Sequence, residues 1–224
     1  MQPLIPFPVF KRHARSAAGL LLALGFYTSN VSATLVFVNE LHYDNTGSDK
    51  NEGVEIAGPN GFTLTGWQLL LYNGGGGNLY GTHGLDGTIP DLGSGFGVLS
   101  FSIPGLQNGP DGLALVNNLN QVVQFLSYEG SFTAIGGAAD GLASTEIGVM
   151  ETGSTDPFDS LQLVGSGRRY QDFQWLTQQP NSFGAINSGQ TITPAAVPTP
   201  ATLPLLISGV AGIGLLTRRR KVLS

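Results

Sequence analysis

Five carboxylates crowd one stretch of this chain: Glu40, Asp44, Asp49, Glu52 and Glu55, interleaved with Asn45 and Asn51. Oxygen donors at that density suit a hard divalent cation, since Ca2+ gathers roughly six to eight carboxylate, amide and carbonyl oxygens. Asp44, Asp49, Glu52 and Glu55 are the candidate metal ligands. No other cofactor is expected. The spacing does not follow the EF-hand loop, which wants a glycine at its sixth position and a glutamate at its twelfth. The competing reading is structural, with Asn39 and Glu40 hydrogen-bonding the neighbouring strand and loop. Carboxylate pairs can also hydrolyse glycosides when held about 5 or 9 Å apart with one pKa raised. Nothing in this spacing sets such a separation.

His42 and His83 are the histidines that follow residue 33. Either could act as a base beside Asp44 or Asp86, or join carboxylates around zinc. Neither belongs to a His-Glu-x-x-His helix or stands near a Gly-x-Ser-x-Gly elbow. The chain has no cysteine, which excludes disulfides, thiolate catalysis and thiolate metal sites. Gly74–Gly77 and Gly93-Ser94-Gly95 lack the Lys-Ser or Lys-Thr of a phosphate loop, and read as loops. Trp67, Trp175 and Phe173 are expected in the core. Tyr72, Tyr80 and Tyr128 are expected to be partly exposed, and Tyr72-Asn73 beside Asn78-Leu79-Tyr80 would suit glycan contact.

Charge removes a class of partners. Lys11, Arg12 and Arg15 sit at the front, and Arg218, Arg219, Arg220 and Lys221 at the back. Between residues 34 and 196 only Lys50, Arg168 and Arg169 oppose all fifteen acids, a formal charge of −12. Phosphate contacts need a basic surface, so no nucleic-acid partner is expected.

The two ends read as export signals. In residues 1–33 a basic stretch precedes the apolar run from Ala17 to Phe26, and Val31-Ser32-Ala33 supplies the small residues of a cleavage site. That is a signal peptide, with signal peptidase as its partner. Residues 191–200 form a Pro/Thr-rich linker, and 201–217 carry no charge, so they can just span a thin bilayer as a helix. Arg218, Arg219, Arg220 and Lys221 then stop translocation. Val197-Pro198-Thr199-Pro200-Ala201, followed by this helix and basic cluster, resembles a PEP-CTERM sorting signal, with Thr199 where glutamate is usual. The resemblance implies a Gram-negative source and an exosortase-type enzyme that processes the tail. It also implies delivery to the outer envelope, cell surface or medium, with a C-terminal membrane segment before processing.

Between the ends, short apolar runs alternate with turn residues. Strands are expected at Thr34–Leu41, Gly53–Ala57, Trp67–Tyr72, Gly97–Ile103, Gly112–Val116, Val122–Leu126 and Leu161–Val164. In the first, Leu35 and Phe37 face one way, Val36 and Val38 the other. Asn117–Asn120 reads as a hairpin turn, and Ala134–Thr145 as a long loop. No stretch keeps a helical period, so the fold class is all-β, a β-sandwich. Val36–Asp44, Glu52–Ala57, Leu64–Leu69, Asp172–Trp175 and Pro180–Asn187 together resemble the lamin-tail domain, with Phe183 where proline is common. The resemblance covers residues 34–190 and implies an immunoglobulin-like β-sandwich.

The expected function is that of an exported, surface-sorted, non-catalytic module for adhesion or envelope and exopolysaccharide matrix association. Its expected partners are polysaccharide or other envelope components. The alternative is a secreted cation-dependent hydrolase or its accessory domain. That reading requires His42, His83 or the Asp44–Glu55 cluster to converge in a pocket.

Overall fold

Alternating apolar residues between turns become strands because each strand can turn one face to a core while its backbone pairs sideways. The computed structural model describes residues 35–195. The signal peptide, the Val197–Ala201 motif, the hydrophobic segment and the Arg218–Lys221 cluster lie outside these residues. Eleven strands occur: β1 (Phe37–His42), β2 (Gly53–Pro59), β3 (Trp67–Asn73), β4 (Leu79–Leu85), β5 (Phe96–Ser102), β6 (Asp111–Val116), β7 (Val122–Tyr128), β8 (Thr145–Glu146), β9 (Asp159–Gly167), β10 (Phe173–Pro180) and β11 (Gln190–Ile192). A single 3-10 turn at Tyr170–Asp172 is the one helical element among the described residues, and no helix there is long and apolar enough to cross a membrane.

Two sheets result. One runs β10-β9-β1-β2-β5, with β11 added in parallel to β9, and the other runs β4-β3-β6-β7-β8. Val38, Leu41, Val54, Ile56 and Leu161 of the first sheet share a buried cluster with Leu69, Leu71, Leu85, Leu113, Leu115 and Leu126 of the second. The two sheets are therefore the layers of a sandwich around a common core. Trp67 joins this core, its ring edge-on to Phe62 at 5.4 Å. The opposite faces are covered too. Phe37, Ala57, Phe96, Val98 and Leu163 cluster outside the first sheet, and Leu70, Tyr72, Ala114, Phe125, Ala134 and Ala139 outside the second.

β1 carries the irregularity that matters most. Its register against β2 shifts between Val38 and Glu40. Val38 and Leu41, three residues apart, both reach the inter-sheet core, which a strand with unbroken period two cannot do. The bulge turns Asn39 and Glu40 together toward the outer face. There the C-terminal segment around Ser182–Gln190 covers them.

All seven expected strands are present, most lengthened by a residue or more. β4, β8, β10 and β11 were not anticipated; β4 has glycines at 81 and 84 and only Leu85 fully buried, so its apolar signal is faint. β11 extends past residue 190 into the stretch read as linker. Asn117 does form the hairpin turn, its N–H bonding Gln121 O at 3.0 Å. The Ala134–Thr145 stretch is irregular up to β8 and lays Ala134 and Ala139 over the second sheet.

Strand directions give the sandwich two distinct poles. From Leu35 the chain enters β1 and runs to His42, β2 returns from Gly53, and β9 leads from Asp159 to Gly167. Leu35, Arg168, Arg169, Thr193 and Ala195 consequently share one pole, where both ends of the described chain emerge. Asp44, Asp49, Glu52, Asp111, Glu129 and Glu151 gather at the other, with Lys50 as the basic residue among them.

Candidate functional site

The bulge residues open a buried polar network on the outer face of the first sheet. Glu40 is fully buried. Its Oε1 accepts from Ser160 Oγ at 2.6 Å, Ser182 N at 2.8 Å and Gln162 Nε2 at 3.3 Å. Glu55, equally buried, accepts from Asn39 Nδ2 at 3.0 Å and from Gly184 N at 2.6 Å. Asn187 Nδ2 bonds Asn39 O and Leu163 O, each at 3.0 Å. Ser182 Oγ lies 2.9 Å from both Glu40 Oε2 and Asn187 Oδ1. With Glu40 ionised, the single hydroxyl proton serves only one of these acceptors; a proton on Glu40 satisfies both. Burial raises the Glu40 pKa against the opposing bonds from Ser160, Ser182 and Gln162. For Glu55 burial dominates, the Glu40 charge adds to it, and the pKa is pushed up to about 8.

His42 is buried at the start of the acidic pole and pairs with Glu151, Nδ1 to Oε1 at 2.8 Å. Its Nε2 faces Lys50 O at 3.0 Å and Asn45 Oδ1 at 3.3 Å. Asn45 Nδ2 is committed to the Thr46 and Ser48 carbonyls, so its Oδ1 is fixed as an acceptor. Both ring nitrogens therefore face acceptors, which suits the doubly protonated imidazolium. Burial lowers the His42 pKa, but the bond to Glu151 and that residue's charge outweigh it, and the net direction is upward. Glu151 Oε2 also accepts the N–H groups of Tyr43 at 2.6 Å and Asp44 at 2.9 Å. Tyr43 OH returns the contact, accepting from Glu151 N at 2.8 Å.

The remaining acids of this pole repel one another without converging. Tyr43 stacks on Tyr128 with centroids 3.9 Å apart and donates its hydroxyl to Glu129 at 2.9 Å. Asp111, nearly fully buried, takes Gly74 N at 3.0 Å while its Oδ2 has no partner among the described residues. Burial, with a contribution from the Glu129 charge, pushes its pKa up to about 6. Of the four candidate metal ligands, Glu55 is engaged on the outer face as described. Glu52 Oε2 holds Gly105 N at 2.6 Å, and Asp49 Oδ1 caps Asn45 N at 3.4 Å. Asp44 and Glu52 have pKa values raised first by burial and then by the charge of Asp49. Among the described residues no three His, Asp or Glu side chains come together to hold a metal ion.

His83 lies on β4 opposite Leu69, in the other sheet from His42. His83 is thus carried by a different sheet from His42 of β1 and Glu55 of β2. The tyrosines depart from expectation: Tyr72 and Tyr128 are buried, and only Tyr80 is half-exposed. Tyr72 is covered because the loop beyond β7 folds back, its hydroxyl donating to Gly136 O at 2.9 Å and accepting from Ala139 N at 3.3 Å. A Tyr72–Tyr80 glycan patch is thereby removed. Trp175 and Phe173 pack partly buried against the outer cluster, and Trp175 Nε1 bonds Tyr170 OH at 3.0 Å.

A concave site that sequence reasoning missed lies beside β5, the terminal strand of the first sheet. A groove of about 290 Å³ is lined by Asn51, Glu52, Gly53, Ser100, Phe101, Ser102 and Phe183. Gly53 pairs with Ser102 across β2 and β5, and a side chain at Gly53 would stand 3.6 Å from Phe183 Cζ. Phe183, an aromatic residue set between the small residues Ser182 and Gly184, was the available signal. Comparison with family models, curated proteins and solved structures returns no match to this chain.

Proposed function

We propose that this chain is an exported, surface-sorted, non-catalytic module for adhesion or for association with the envelope and exopolysaccharide matrix. Its domain is read as an immunoglobulin-like sandwich of the lamin-tail kind. The observation that carries the reading is the fate of the residues best equipped for chemistry. Glu40, His42, Glu55 and Glu151 are at most 1% exposed and spend their polar atoms on internal hydrogen bonds. Catalytic groups must reach a substrate; these four hold strands and loops together. A second support is the placement of both ends of the described residues, Leu35 and Ala195, at the pole opposite the acidic one. A domain carried on a C-terminal tail would then present its acidic pole outward.

Cell fractionation tests the proposal, comparing the full chain with one lacking Val197–Ser224. Envelope or surface recovery of the full chain, and release or periplasmic accumulation of the truncated one, is expected. Cytoplasmic recovery of the full chain would overturn it.

A further inference from the structure

We propose that the groove between Phe183 and the β5 edge is a carbohydrate subsite that takes one neutral pyranose ring of a polysaccharide. The proposal deepens the reading of the chain as a surface binding module and rests on it. A pyranose ring offers an apolar C–H face and a rim of hydroxyls that donate and accept. The groove answers both features with the Phe183 ring on one side and the Ser100 and Ser102 hydroxyls, the Asn51 amide and the Glu52 carboxylate around it. Among the described residues neither serine hydroxyl has a hydrogen-bond partner, which leaves both available to a ligand.

The lining is held in place before any ligand arrives. Phe183 is flanked by Ser182, fixed to Glu40, and by Gly184, fixed to Glu55. The two buried carboxylates thus act as positioning residues for an aromatic platform. Asn51 adopts a left-handed φ of 60° and donates Nδ2 to Pro157 O at 2.8 Å, which fixes its side chain at the rim of the groove. Glu52, another lining residue, is fixed by the bond that its Oε2 accepts from Gly105 N at 2.6 Å. Groups immobilised in advance reduce the ordering cost of binding. Gly53 contributes by omission, since a Cβ there would clash with Phe101 O at 2.8 Å and touch Phe183 Cζ at 3.6 Å.

Size and charge narrow the ligand. A volume of about 290 Å³ is small for an enclosed ligand pocket and fits one ring of a chain that continues along the open edge of β5. Glu52 in a domain of charge −12 disfavours uronates and sulfated sugars, so the ring is a neutral one.

The test titrates the purified full chain in detergent with a panel of neutral hexose and N-acetylhexosamine tetrasaccharides and with tetragalacturonate, followed by calorimetry. Saturable millimolar or tighter binding of at least one neutral tetrasaccharide is expected, with none for tetragalacturonate. Phe183→Ala should weaken it at least about tenfold, the Ser100→Ala/Ser102→Ala pair about three- to tenfold, and Phe183→Tyr little. If Phe183→Ala unfolds, the serine pair decides. No binding across the panel, binding indifferent to these changes, or preference for the uronate would overturn the subsite. So would capture of an extended peptide along β5 in its place. Surface delivery without glycan binding sinks only this subsite, whereas glycan binding by a chain retained in the cytoplasm sinks the reading beneath it.

Discussion

Ser182 and Glu40 stand 142 residues apart in sequence, yet Ser182 gives Glu40 its backbone N–H at 2.8 Å and its hydroxyl at 2.9 Å. Through this contact the last segment of the domain closes over the bulge of its first strand. Ser160 and Gln162 of β9 bond the same carboxylate, so one side chain joins three stretches of chain.

Glu40→Ala would strand the donors of Ser160, Ser182 and Gln162 in a buried site. Each orphaned donor costs on the order of 1–3 kcal/mol, so a loss of about 3–5 kcal/mol is expected in urea unfolding. Glu40→Gln keeps one acceptor oxygen and should cost clearly less. Equal losses for the two variants would show that the packing of the side chain, rather than its acceptors, matters.

Glu151→Gln tests the second tie. Its Oε2 takes two N–H groups and its Oε1 faces His42, so an amide group placed on either side meets a donor. A destabilisation of about 2–4 kcal/mol is expected, because a buried charge loses its partner. Amide hydrogen exchange should accelerate first at residues 147–155. Uniform acceleration across both sheets would argue that the pair stabilises the whole fold and not this loop.

The pH dependence has a definite sign. Glu40, Glu52, Glu55 and Asp111 have raised pKa values, so the folded state binds protons that the unfolded state has already released. Stability therefore falls as pH rises from the unfolded value toward the folded one. For Glu55 the window runs from 4.5 to about 8. The raised His42 acts in the same direction, its contribution complete below 6.5 and lost as pH rises through its folded value. Asp86 and Asp172 are lowered and act oppositely only in strong acid. The melting temperature should drop between about pH 5 and 8, with Glu55 contributing on the order of a few kcal/mol. Glu55→Gln should flatten that slope. A melting temperature that climbs over the same range would refute the assignment of buried protons.

Alternation made much of the sandwich legible: Val36 and Val38 inward with Phe37 outward follows from period two alone. The bulge was also written in the sequence, since the apolar frame Val36, Val38 resumes at Leu41 and Tyr43, one residue out of step. The partners of Glu40 were not, because Ser160, Gln162 and Ser182 are remote in the chain and ordinary in type. Glu151 escaped notice for the same reason; only the fold brings it to His42. β4 was hidden by its glycines and polar residues, which mark an edge strand with little to bury. Asn39 and Glu40 did prove to bond the neighbouring strand and loop, the structural reading of that acidic cluster.

Calcium supplies the last test. Asp44, Asp49 and Glu52 lie at the acidic pole, but Glu55 is engaged by Asn39 and Gly184, and among the described residues no three ligands meet. A site saturated about a hundredfold above its Kd would add about 2.7 kcal/mol to the folded state, which is several degrees in melting temperature for a domain of this size. With carboxylates that repel without converging, millimolar Ca2+ should act only as a screening ion, shifting the melt by about a degree at most, no more than the same ionic strength of NaCl. A chelator-reversible rise of several degrees, specific to Ca2+, would mean that the loop from Asp44 to Glu52 closes on the ion in a conformation different from the one described.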